Sequence, residues 1–97
     1  MALYAVINRR GDSYERSLPL EQQVDWDAHA ILMDRLAEEG FIVLGGPLEG
    51  SDEVLLIVRA SSPDDIKERL QQDPWHKTGL LRISRILPWT LRLGSLP

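Results

Sequence analysis

The sequence contains no cysteine. That excludes disulfides and thiolate metal sites. It has no uninterrupted apolar run of about 18 residues, so no segment is expected to span a membrane. Basic charge is scarce as well: 11 Lys and Arg face 15 Asp and Glu, for a net charge of -4 at pH 7. Arg9-Arg10 and the spaced Arg82, Arg85 and Arg92 are too sparse to track a phosphate backbone, so neither nucleic acid nor an anionic membrane is an expected partner. The histidines, His29 and His76, form no His-x-x-x-His or Glu-x-x-His pair. No metal is therefore expected. No serine or threonine stands in a nucleophile elbow, and Gly45-Gly46 is not part of a phosphate loop. The N-terminus runs directly into a strand-like segment without a basic region and cleavage site. A signal peptide is not expected, and the cytoplasm is the expected location. There is no internal repeat and no low-complexity segment.

What is present is a globular composition. The 97 residues are 43% hydrophobic and 27% charged, which fits one domain over residues 1–97. The stretch from Trp26 to Gly40 dominates it. Trp26, Ala30, Met33 and Ala37 recur at helical spacing with Leu36 beside them, and Asp34, Arg35, Glu38 and Glu39 take the other side. Asp25 stands at the N-cap position, and Gly40 suits the left-handed residue that ends a helix. His29 falls among the inward positions, three after Trp26 and four before Met33. A titratable ring there needs a reason.

Around this helix the chain reads in order. Residues 2–7 are apolar and end β-branched, which predicts a strand. Residues 8–19 read as a long polar loop, of the kind that is often functional. Residues 20–24 predict a helical turn. Residues 41–44 are an apolar strand ending in Gly45-Gly46-Pro47, and 53–59 are a second one after a short turn, which makes a hairpin. Ser62-Pro63-Asp64-Asp65 is a helix start, with Ile66 and Leu70 facing inward. Asp73-Pro74 is expected to end that helix, 75–79 to be a loop, and 80–87 a last strand stopped by Pro88. The order β-α-β-β-α-β predicts an α+β, ferredoxin-like fold: a four-stranded antiparallel sheet with two helices on one face. Yet 41–44 and 54–58 are apolar at every position, so both sheet faces want cover. One chain supplies helices for one face only. A homodimer packed through the sheet face follows.

At this point the chain resembles the YCII-related (YciI-like) family of the dimeric α/β-barrel superfamily. The residues that carry the likeness are His29, Gly40, Gly45-Gly46-Pro47, Asp73-Pro74-Trp75 and Pro88-Trp89. Their order and spacing extend it over about residues 2–93. The resemblance implies a small cytoplasmic dimer whose site is built on a histidine and an aspartate, here His29 and Asp73. One branch of that family includes a dehydrochlorinase of a chlorinated hydroxyquinol.

The chemistry of such a pair is direct. A neutral imidazole is the natural base near pH 7, and a carboxylate on its other nitrogen fixes the tautomer and raises basicity. Beside it stands the plainer reading, in which His29 is a satisfied helix histidine and Asp73 caps a turn. Gly45 and Gly46 leave amides uncovered for a ligand oxygen, or simply end a strand. Trp26, Trp75 and Tyr4 are candidates for an apolar pocket wall, or for ordinary core. Asn8 and Arg9 are candidates to meet a ligand anion at its mouth, or a solvated loop. His76 is either a second acid/base or an exposed loop histidine. The expected function is cofactor-free proton transfer or elimination on a small cyclic or aromatic ligand. The alternatives are a non-catalytic dimer that binds a small molecule or a partner protein, and an accessory domain whose cleft its own side chains fill.

Overall fold

Side-chain alternation sets the first strand. The computed structural model describes all 97 residues, Met1–Pro97. In β1 (Ala2–Arg10), Tyr4, Val6 and Asn8 are buried while Leu3, Ala5 and Ile7 are only half-buried. Successive residues point to opposite faces of a strand, so these are its two faces. β2 (Ile42–Pro47), β3 (Glu53–Ala60) and β4 (Leu81–Trp89) complete one sheet in the order β2-β3-β1-β4. All pairings are antiparallel. A bulge beside Ile7 and Asn8 leaves Ser84 of β4 without a partner.

Three helices cover the inner face: α1 (Trp26–Glu38), α2 (Pro63–Leu70) and the short α3 (Pro74–Thr78). Leu32 and Leu36 of α1 and Ile66 and Leu70 of α2 pack on Val6, Leu56, Val58 and Ala60 of the sheet. Ile66, Leu70, Val6 and Val58 are fully buried, and each such side chain contributes about 1.5–3 kcal/mol of burial free energy. The fold is the α+β, ferredoxin-like β-α-β-β-α-β arrangement that the pattern predicts.

Several local expectations need correction. The stripe of α1 that enters the core is His29, Leu32 and Leu36, one residue round from the predicted one. Trp26, Ala30 and Met33 are half-buried and line a cleft, with Met33 and Trp26 also packed against the edges of the buried clusters. Asp25 occupies the N-cap position with φ 61° and makes no side-chain cap bond; Asp tolerates the left-handed conformation. β1 continues through Arg10, because the ladder joins backbone groups and ignores side-chain polarity. Asn8 and Arg9 are therefore strand residues, and the loop begins at Gly11. α2 ends at Leu70. Asp73-Pro74 starts a helix rather than ending one, and Trp75 to Thr78 are helical rather than loop. β4 runs past Pro88, which pairs with Tyr4. Proline is tolerated there because β4 is an edge strand.

The 11–19 loop is tied down. Gln23 donates from Nε2 to the carbonyls of Glu15 at 2.7 Å and Leu18 at 3.1 Å, and its Oε1 accepts from Glu15 N at 2.9 Å. Tyr14 is buried against Trp75, edge to face. The outer sheet face is apolar across all four strands, with Leu44, Ile57, Ala5 and Leu87 in one row. No helix covers it, and Leu44, Leu87 and Trp89 are 45%, 37% and 38% exposed.

Candidate active site

Asp73 is the centre. It is fully buried and sits at the N-cap of α3, where Oδ1 accepts the Trp75 backbone N–H at 3.1 Å. His29 Nδ1 lies 2.9 Å from both carboxylate oxygens. His76, one turn further along α3, places its Nδ1 2.9 Å from Oδ2. Three donors thus converge on one carboxylate. Burial pushes the Asp73 carboxyl up. The hydrogen bonds from His29 and His76, the His29 charge and the Trp75 amide outweigh it and hold the group at about 2.

An ionised carboxylate only accepts hydrogen bonds. Both imidazoles must therefore carry a proton on Nδ1, and the His29 ring in its neutral form presents a bare Nε2. That nitrogen has no partner within the chain. The one buried, unpartnered side-chain N or O atom is Arg10 Nε, so His29 Nε2 is not sealed from solvent. The ring is held flat: it stacks on Trp75 with centroids 3.7 Å apart and planes 10° apart. Trp75 is anchored in turn by its Nε1–H, which donates to the Val24 carbonyl at 2.6 Å. Trp26 leans on both rings at 5.9 Å.

These groups stand at one wall of a cleft of about 440 Å³ between α1 and the β2–β3 side of the sheet. Asn8, Trp26, His29, Trp75 and His76 line its polar and aromatic end, and Gly45, Gly46, Met33 and Leu56 its apolar end. Gly45 lacks the Cβ that would meet Leu56 Cδ2 at 2.6 Å, which keeps the apolar end wide. Both glycines lie in the β2–β3 ladder without positive φ. Consecutive strand amides point to opposite edges, so only one of the two is free for a ligand.

Two sequence candidates lie elsewhere. Tyr4 is buried in the main core, four residues and about 13 Å along β1 from Asn8. Arg9 follows Asn8 and so points to the opposite sheet face. It is exposed, with Glu53 at 3.9 Å. His76, for which the sequence allows a second acid/base or an exposed loop histidine, is a helix residue with a 6% exposed side chain. Its Nε2 lies 3.3 Å from Asn8 Oδ1. The signal was present in the sequence as the three-residue step from an N-cap aspartate to a histidine. No group of three or more His, Asp or Glu residues is arranged to hold a metal ion.

Architecture and site define a ferredoxin-like α+β domain with a histidine–carboxylate centre in a cleft. The family model of the YCII-related domain matches residues 2–90, and the chain belongs to that family. Among solved structures it is similar to the 5-chloro-2-hydroxyhydroquinone dehydrochlorinase of Burkholderia phenoliruptrix AC1100, in complex with 2,5-dihydroxybenzoquinone. That match has 24% identity, a TM-score of 0.58 and 95% coverage of each chain. No curated protein matches the sequence. No helix is long and apolar enough to cross a membrane.

Proposed function

We propose that the chain is a cytoplasmic, single-domain homodimeric enzyme that transfers a proton, or drives an elimination, on a small cyclic or aromatic substrate without a cofactor. One observation carries this reading. His29 presents an unpartnered Nε2 to a cleft while Asp73 holds its Nδ1–H at 2.9 Å. In this role Nε2 removes a proton from a substrate O–H or acidic C–H, and Asp73 stabilises the imidazolium that forms. Trp26, half-buried at the cleft, offers a flat apolar face to a ring, while Trp75 backs the His29 imidazole; in this reading the free glycine amide of β2 meets the developing oxyanion. The similar structure is an enzyme bound to a hydroxylated quinone, which agrees with a planar oxygenated ligand. The apolar row Leu44, Ile57, Ala5 and Leu87, exposed at Leu44 and Leu87 and covered by no helix, supports a sheet-to-sheet homodimer.

The test compares wild type with His29→Gln, using 2,5-dihydroxybenzoquinone for binding and 5-chloro-2-hydroxyhydroquinone for turnover, followed by chloride release. The expected result is retained folding and quinone binding with turnover lowered by about 10²- to 10⁴-fold. Equal rates in both proteins refute the assignment. Binding without turnover in wild type favours the non-catalytic binding module.

A further inference from the structure

His76 is the one titratable ring at the cleft that the reaction above leaves without a task. Its Nδ1–H is committed to Asp73 Oδ2 at 2.9 Å. Its Nε2 faces Asn8 at 3.3 Å. With Nδ1 protonated, Nε2 carries a hydrogen only in the imidazolium and a lone pair in the neutral ring. Asn8 is 99% buried but borders the cleft. Its amide carries an acceptor at one corner and a donor at the other, exchanged by a half-turn of the terminal torsion. Nδ2 has no partner in the chain and is not among its sealed, unpartnered atoms. Whichever corner meets His76, the other is left for a ligand.

The consequence is a choice of polarity. A charged His76 donates Nε2–H to Asn8 Oδ1, which leaves the Asn8 N–H for the cleft. A neutral His76 accepts the Asn8 N–H, which leaves the carbonyl. We propose that His76 is a positioning residue whose protonation turns Asn8, so that the cleft offers an N–H to a bare ligand oxygen when His76 is charged and a carbonyl to a ligand hydroxyl when it is neutral. Together with the His29 base, the charged state suits a ring with one hydroxyl and one carbonyl or phenolate oxygen. The neutral state suits a ring with two hydroxyls. The inference rests on the reading of the cleft as the ligand site.

The groups that act on His76 are Asp73 at its Nδ1 and, through that shared carboxylate, His29. On its other side Lys67 of α2 and Arg82 and Arg85 of β4 line a neighbouring groove, and Asp34 of α1 borders the cleft. The experiment therefore removes the His29 titration by working in His29→Gln, whose amide still donates to Asp73. In that background the ¹⁵N and ¹H signals of the Asn8 side-chain amide, recorded without ligand, should move with pH in step with the His76 ring nitrogens. They should become pH-independent in His29→Gln/His76→Phe. Acetophenone, which only accepts hydrogen bonds, should lose about tenfold in affinity as His76 deprotonates, whereas phenol should not, both followed by tryptophan fluorescence. An Asn8 amide that ignores the His76 titration overturns the proposal, even if both compounds bind. Failure of both compounds to bind at any pH overturns the ligand-cleft reading, and the proposal falls with it.

Discussion

The most informative single substitution is Asp73→Asn. Three donors meet this carboxylate: His29 Nδ1, His76 Nδ1 and the Trp75 amide. The charge matters more than the shape, because the carboxyl is held at about 2 against an ordinary value of 3.8. A lowered native pKa means that the ionised form binds its partners better than the neutral one. That stability is fully present above the unfolded pKa and is lost as pH falls from about 4 to about 2. A depression of this size corresponds to about 2 kcal/mol. Asparagine removes the charge but keeps one acceptor. Its oxygen is expected at the Oδ1 position, where it serves Trp75 N and His29 Nδ1. Its NH₂ then meets His76 Nδ1, so His76 must move its proton to Nε2, where Asn8 Oδ1 receives it. The second imidazole has an escape and the first does not need one. The cost therefore stays near the linkage value, about 2–3 kcal/mol, or about 10 °C in Tm for a domain of this size.

Urea denaturation of both proteins from pH 7 to pH 2, at one fixed protomer concentration, measures it. The gap should be about 2–3 kcal/mol at neutral pH and should shrink by about 2 kcal/mol as pH falls through the 4 to 2 window. Long-range ¹⁵N spectra should show His29 still protonated on Nδ1 and His76 switched to Nε2. A gap that stays constant over this pH range refutes the account of Asp73 as an ionised hub. So does an Asp73→Asn protein as stable as wild type at pH 7.

Trp75→Phe removes the 2.6 Å bond to the Val24 carbonyl and much of the stack on His29; urea denaturation should show a loss of about 2–3 kcal/mol, and an unchanged midpoint counts against that anchor. Gly79→Ala places a Cβ at φ 77° and 3.1 Å from Arg82 Nη2, so thermal melts should show a loss of about 1–2 kcal/mol. Leu87→Glu puts a charge into the uncovered row beside Ala5 and should turn a dimer into a folded monomer in sedimentation velocity; a wild type that sediments as a monomer at micromolar concentration removes the dimer instead.

The fold was legible because its elements announce themselves by periodicity and capping. The Ser62 side chain accepts from Asp65 N, Pro63 follows it, and Gly40 takes φ 82° after α1. What hydropathy misses is pairing. Asn8, Arg9 and Arg10 look like loop because they are polar, yet their backbone groups extend the ladder with β3 and β4. Pro88 looks like a stop because it has no N–H, yet an edge strand has a side that needs none. The buried stripe of α1 lies one residue round from the one the spacing predicts, a rotation of about 100°. The spacing of Trp26, Ala30, Met33 and Ala37 is helical whether they face the core or a cleft, so the pattern alone does not choose. His29 is what breaks the symmetry, since a ring with a free nitrogen needs water or a ligand on one side.

The site was legible in part, and the missing half follows from one local rule. Asp73-Pro74 read as an ending, since the residue before proline avoids the helical region. The same pair is also a beginning: aspartate as N-cap and proline at the first helical position. Taken as a beginning, it puts residue 76 one turn above the cap, with its side chain over the carboxylate, and a histidine there becomes a partner rather than a surface residue. A helix of five residues is too short for periodicity to reveal, so only the cap motif could have found it. Arg9 fails by a rule equally local, because a strand cannot turn two consecutive side chains to one face. The polar end of the cleft is thus assembled from three short-range geometries: an N-cap, an i,i+3 step and a strand alternation. The long-range fold then brings His29, 44 residues away, onto the same carboxylate.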